Sequence, residues 1–268
     1  MQSKISIFQS DSTPDPQENL SKAVKAAATA AKMHAPEMLV FPECFMCYFR
    51  KDQTMEEKSA VVKKEHGPFL RGMQDLAAQH KMWMIFGTYE PAEDPVEIRC
   101  YNTVYVVDDA GRIVYKYRKT HLYDAFANKE SDFVIPGDRL CDVLDTPLGK
   151  TAVLTCYEAR FPEIARKLTV DGAEVLIHPT AWVDGKLKEM QYSVITRTRA
   201  VENTVWFISA DQCDRKHSGS SAIIDPMGQI ITAASEYETV LNGWIDTDRV
   251  AEVRKTLPVL ENRRPELY

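Results

Sequence analysis

Three pairs of short β-rich runs, each joined by a tight polar turn, limit what this chain can fold into. Residues 103–107 and 113–117 flank Asp108-Asp109-Ala110-Gly111, and 140–145 and 151–155 flank Pro147-Leu148-Gly149. Residues 221–224 and 230–233 flank Asp225-Pro226-Met227-Gly228. Acidic residues, Pro and Gly supply the bends, so each pair reads as a hairpin. Further strands are expected at 5–8, 38–41, 83–88, 175–177, 205–210 and 240–245. Helical spacing marks Leu20, Val24, Ala27, Ala28, Ala31 and Met33, then 68–80, 162–168, 187–201 and 249–255. Hairpins mixed with helical crossovers predict an α/β chain of two packed sheets with helices outside, rather than a doubly wound sheet.

At 268 residues the chain can bury one large core, and neither a linker nor a fixed-period repeat interrupts it. One domain over 1–268 is expected, with 257–268 a Pro-punctuated, charged tail that either frays or lies on a partner. The 33 basic and 39 acidic residues give a net charge of −6, which argues against a nucleic-acid partner. No run of about 18 apolar residues exists to span a membrane. The N-terminus alternates like a strand and lacks the long apolar core of a signal peptide. Six scattered cysteines (Cys44, Cys47, Cys100, Cys141, Cys156 and Cys213) then read as reduced thiols of a cytoplasmic protein.

Three strand-like runs end in a reactive side chain. Met38-Leu39-Val40-Phe41-Pro42 leads to Glu43, where partial desolvation is expected to raise a carboxylate toward a usable general base. The run 113–117 leads to Lys119, and Thr151-Ala152-Val153-Leu154-Thr155 leads to Cys156 at a strand-to-helix elbow. Backbone N–H groups there are expected to lower the thiol pKa and to stabilise an oxyanion. Phe161-Pro162-Glu163 repeats the tripeptide around Glu43, but Pro and an acid in a first helical turn are structurally favoured. Glu163 is therefore assigned to the helix and Glu43 to chemistry. Glu130, in Asn128-Lys129-Glu130-Ser131, reads either as a partner for the Lys119 ammonium or as a plain loop acid.

Phe41-Pro42-Glu43, Tyr117-Arg118-Lys119-Thr120-His121-Leu122 and Cys156-Tyr157-Glu158-Ala159-Arg160-Phe161-Pro162-Glu163 together resemble the nitrilase, or carbon–nitrogen hydrolase, superfamily. The likeness extends through His178-Pro179-Thr180-Ala181-Trp182 and Arg199-Ala200-Val201-Glu202-Asn203 to the C-terminal Arg263-Arg264-Pro265-Glu266-Leu267-Tyr268. Within it, 119–131 and 181–189 most resemble bacterial deaminated-glutathione amidases and omega-amidases. Glu158 departs from a common Asp, and His178 from Asn or an apolar residue.

The resemblance implies a four-layer αββα sandwich, a homodimer or larger homo-oligomer, and no metal or organic cofactor. It also implies an amidase that converts a small linear amide bearing a carboxylate to acid and ammonia through a Cys156 thioester. Glu43 would be the base, Lys119 and the Tyr157 N–H the oxyanion donors, and Glu130 the residue that orients Lys119. Tyr157, His178 and Trp182 would lie against the substrate, with Arg160, Arg197 and Arg199 candidates for its carboxylate. Nitrilase and N-carbamoyl amino acid hydrolase activities would use the same triad. A Cys–His hydrolase built on His178 or His121, a metal or redox module on Cys44-Phe45-Met46-Cys47, and a silent binding protein are the competing classes. A lone Cys-x-x-Cys is a poor zinc signal.

Overall fold

The computed structural model describes residues 2–214 and 216–267. Met1, which opens the first strand-like run, and Tyr268, which ends the tail, lie outside the described residues. In chain order the elements are β1 (Gln2–Gln9), α1 (Pro16–Met33), β2 (Met38–Val40), α2 (Met55–His80), β3 (Trp83–Pro91), β4 (Cys100–Val107) and β5 (Ile113–Arg118). Then come β6 (Leu144–Thr146), β7 (Gly149–Val153), α3 (Pro162–Val170), β8 (Val175–Thr180), α4 (Lys188–Asn203) and β9 (Trp206–Asp211). The body closes with β10 (Ala222–Ile224), β11 (Ile230–Ala233), β12 (Thr239–Asp246) and α5 (Asp248–Thr256).

The strands form two six-stranded sheets, ordered β12-β1-β2-β3-β4-β5 and β11-β10-β9-β8-β7-β6. In each, parallel central strands (β1, β2, β3 and β7, β8, β9) are extended on both sides by antiparallel strands. Alternation along the strands sorts the core. Ile5, Ile7, Met38, Val40, Ile85, Val104 and Val106 join the cluster shared with the second sheet. Their neighbours Phe8, Leu39, Met84, Phe86, Tyr105 and Val107 pack instead with Ala23, Ala27 and Ala30 of α1 and with Phe69, Met73 and Leu76 of α2. On the far side α3 contributes Ile164, Ala165 and Leu168, and α4 contributes Ala200. The expected αββα layering is present. Among the described residues no helix is long and apolar enough to cross a membrane.

Two helices start on side-chain caps, one of them earlier than expected. Asp15 caps α1 by accepting the Gln17 N–H at 2.9 Å, with Pro16 in the first turn. The second helix was expected only from residue 68, yet it begins at Met55 behind a reciprocal Thr54–Glu57 capping box (2.8 and 3.2 Å). Pro68 lies inside it. Losing a backbone hydrogen bond there costs about 3 kcal/mol. Burial of Val62 on one side of the proline, and of Phe69, Met73 and Leu76 on the other, offsets that penalty.

Candidate active site

Each reactive residue sits just beyond the end of a strand. Beyond β2, Phe41 N–H donates to Ile85 O at 2.8 Å and Gly87 N–H donates to Pro42 O at 3.0 Å, which presses the Glu43 segment onto β3. A Cβ at Gly87 would lie 2.6 Å from both Cys44 N and Glu43 Cα, so this close approach requires glycine. Beyond β5, the Lys119 N–H donates to Asn102 O at 2.9 Å and its carbonyl accepts from Gly137 N–H at 2.8 Å. Beyond β7 the chain turns at Cys156, whose φ of +47° is left-handed. That conformation costs a non-glycine residue roughly 1–2 kcal/mol, so the surroundings must hold it.

Two groups hold this elbow. Glu158 Oε2 accepts the Thr155 N–H at 2.7 Å, while Oε1 accepts from Tyr117 OH, Thr120 N–H and Thr120 Oγ1, each at 2.7 Å. Beneath it, His178 Nε2 donates to Cys156 O at 3.0 Å. Burial drives His178 from its ordinary 6.5 down to about 4, so the ring is neutral. Its Nδ1 therefore accepts from the Ser209 hydroxyl at 2.7 Å. This corrects the expectation that His178 meets the substrate: the side chain is fully buried and supports the backbone under the thiol. Neither histidine of the Cys–His alternative is bonded to the thiol: His178 bonds the Cys156 carbonyl, and His121 Nδ1 pairs with Thr120 Oγ1.

The fold brings Glu43, Lys119, Glu130 and Cys156 together. Lys119 Nζ lies 2.9 Å from Glu43 Oε1 and 2.9 Å from Glu130 Oε2. Asn102 Nδ2 donates to Glu43 Oε1 at 2.7 Å and to Glu130 Oε1 at 3.0 Å. Glu43 Oε2 accepts the Ala181 N–H at 2.9 Å, and Glu130 Oε2 accepts the Tyr123 N–H at 2.6 Å. Burial alone would raise the Glu43 carboxyl, as expected from sequence. The Lys119 ammonium and the hydrogen bonds from Lys119 and Asn102 outweigh it, and hold Glu43 below the usual range. Burial likewise opposes the Lys119 charge, but Glu130 and Glu43 keep its pKa well above 10.5.

The Cys156 thiol moves against expectation as well. Burial and the Glu43 charge raise it above 9.0, against the smaller pull of Lys119, the Thr180 hydroxyl and the Ala181 N–H. The site therefore rests as a protonated thiol in the same cleft as an ionised carboxylate, so the thiol needs a base to react.

A cleft of about 240 Å³ opens over these groups, lined by Glu43, Lys119, Glu130 and Cys156, and also by Tyr48, Lys58 and Phe133. A smaller branch also touches Cys156 and is lined by Tyr157, Trp182, Arg160 and Lys188. Arg160 lies 4.6 Å over the Trp182 ring and donates to Gln191 at 2.9 Å, with no carboxylate partner among the described residues. The other two arginines are committed elsewhere. Arg199 donates to Ala159 O and pairs with Glu202, and Arg197 donates to Gly228 O. Cys44 lines the cleft and lies 3.1 Å from Tyr89 OH, whereas Cys47 is buried in the core behind it.

Asn102, Thr180, Lys58 and Lys188 escaped the reading of the sequence. Asn102 lies one residue before the expected strand at 103–107 and beside the polar Thr103, so nothing local singled it out.

Comparison with known proteins places the chain in a family. The carbon–nitrogen hydrolase family profile matches residues 4–255, and the chain belongs to that family. It is 37% identical over 227 residues to a deaminated glutathione amidase of Escherichia coli O157:H7, covering 85% of this chain and 84% of that protein. It is 30% identical over 279 residues to an omega-amidase of Saccharomyces cerevisiae, covering 99% and 94%. The NitFhit protein of C. elegans superposes with a TM-score of 0.89 at 27% identity, over 100% of this chain and 66% of that longer one. A carbon–nitrogen hydrolase from Helicobacter pylori G27 superposes at 0.91 with 23% identity, over 100% and 97%, and shares the fold.

Proposed function

We propose that this chain is an amidase in which Cys156 is the nucleophile, Glu43 the general base, Lys119 an oxyanion donor and Glu130 a positioning residue. The observation that carries the reading is the buried Glu43 carboxylate, hydrogen-bonded to the Lys119 ammonium at 2.9 Å in the cleft that Cys156 also lines. As Sγ bonds the amide carbon, its proton passes to Glu43, and the carbonyl oxygen gains negative charge beside Lys119 and the Tyr157 N–H. Glu43 returns that proton to the departing nitrogen as the C–N bond breaks, which leaves a thioester and free ammonia or amine. Water then donates a proton to Glu43 and its oxygen attacks the thioester. Cys156 leaves with the proton, and the acid is released.

The substrate is a small amide whose acyl part ends in a carboxylate, as in deaminated glutathione or the omega-amide of a 2-oxo acid. Two things support it: the relatives named for such activities, and the Arg160 guanidinium in the branch beside Cys156, which meets no carboxylate among the described residues. We assign the whole chain to one catalytic unit with 257–268 a tail, working in the cytoplasm as a homodimer. The dimer is supported by an exposed stripe on and just before α4, where Leu187, Met190 and Val194 are each more than half exposed.

The test is hydrolysis of deaminated glutathione, 2-oxoglutaramate, aliphatic amides, a nitrile and an N-carbamoyl amino acid, with Cys156→Ala beside wild type. Formation of 2-oxoglutarate from the first two, absent in the variant, supports the proposal. Turnover that survives in Cys156→Ala would overturn it.

A further inference from the structure

The charges along the main cleft are unevenly distributed. At its floor Glu43 and Glu130 share the single cation Lys119, so the catalytic end carries one net negative charge. A substrate carboxylate is repelled there and must find its counter-charge elsewhere. Arg160 supplies one in the small branch. In the larger branch Lys129 is already paired with Asp132 at 2.8 Å, and Lys188, which reaches Tyr123 OH at 3.0 Å, belongs to the small branch. Lys58 remains. It stands in the first turn of α2, its Nζ 5.7 Å from the centre of the Phe133 ring, and no carboxylate pairs with it among the described residues. Tyr48 and Asn128 line the same cleft.

Resting on the amidase reading above, we propose that Lys58 binds a second carboxylate, carried by the amine half of the substrate. The two cations then mark opposite ends of one substrate: Arg160 holds the acyl end, Cys156 meets the amide, and Lys58 holds the far end of the leaving group. The larger branch, about 240 Å³ against about 20 Å³, takes the longer half. The preferred substrates are accordingly amides whose leaving amine is a short peptide with a free C-terminal carboxylate. Deaminated glutathione, which releases a dipeptide, belongs to this class. A primary omega-amide releases ammonia and leaves the Lys58 end empty.

The experiment compares kcat/KM for deaminated glutathione and 2-oxoglutaramate, both followed as 2-oxoglutarate formed, in wild type, Lys58→Met, Lys58→Arg and Lys58→Glu. A charge-assisted hydrogen bond lost on one substrate alone lowers the ratio of the two kcat/KM values roughly tenfold in Lys58→Met, mostly through KM. Lys58→Arg restores the ratio and Lys58→Glu lowers it further. An unchanged ratio overturns the proposal, whether both substrates fall together (Lys58 serving the acyl end or the fold) or neither falls. Failure of the amidase reading looks different, because wild type would then hydrolyse neither compound. Lys58 is partly exposed, so these variants are expected to fold.

Discussion

Glu158 Oε1 accepts the Thr120 N–H at 2.7 Å, which ties the residue after Lys119 to the turn that carries Cys156. The same oxygen takes the hydroxyls of Tyr117 and Thr120, and its partner oxygen takes the Thr155 N–H. One buried carboxylate thus sets the spacing between ammonium and thiol. In Glu158→Gln an amide NH₂ would face donors that now meet an oxygen. We expect a loss of about 2–4 kcal/mol in stability by urea denaturation, with kcat down about 10- to 100-fold from misplacement.

Gly87→Ala tests the close approach behind Glu43. The new methyl would meet backbone atoms of Cys44, Glu43 and Pro42 at 2.6–2.7 Å, none of which can swing aside like a side chain. Melting temperature should fall by the equivalent of about 1–3 kcal/mol. A shift of Glu43 by a fraction of an ångström should cut kcat far more than it raises KM.

Lys119→Met removes the one cation between two buried carboxylates. Breaking such a pair from one side costs about 3–5 kcal/mol. The abandoned Glu43 and Glu130 then repel each other and lose their counter-charge, so both should bind protons more readily. The stability gap to wild type should therefore narrow as pH falls from 7 toward 5, as chemical denaturation at each pH would show.

His178 and Asp211 titrate abnormally in opposite senses. His178 falls from 6.5 to about 4, so between those values the unfolded chain binds a proton that the fold refuses, and stability drops as pH falls. Asp211, raised mainly by burial from 3.8 to about 6, retains a proton that the unfolded chain releases; its contribution is present below 3.8 and lost as pH rises to 6. Each is on the order of 3 kcal/mol, so they largely cancel from pH 4 to 6. Relative to wild type, His178→Gln should gain stability as pH falls through this window, and Asp211→Asn should gain it as pH rises. Parallel slopes for the two variants would contradict this assignment.

Much of this was legible in the residues. Period-2 alternation and three Gly- or Pro-marked turns gave the sheets, and the strand-end positions of Glu43, Lys119 and Cys156 pointed to the site. Local reading failed where distant partners decide. Nothing near Glu43 announces an ammonium that arrives from 76 residues away and reverses the effect of burial. His178 was misjudged for a different reason. β8 is buried on both faces, so polarity along it gives no hint of which way a side chain points. Pro68 hid the first half of α2, because a proline usually marks a boundary and only tertiary burial carries a helix through it.

The site is also a seam. Glu43, Lys119 and Asn102 come from strands and strand ends of one sheet, and Cys156, Thr180 and Ala181 from those of the other. Neither half holds both the proposed nucleophile and the proposed base. A refolding chain with either sheet built alone would thus be chemically silent, and turnover would return only with the step that closes one sheet upon the other.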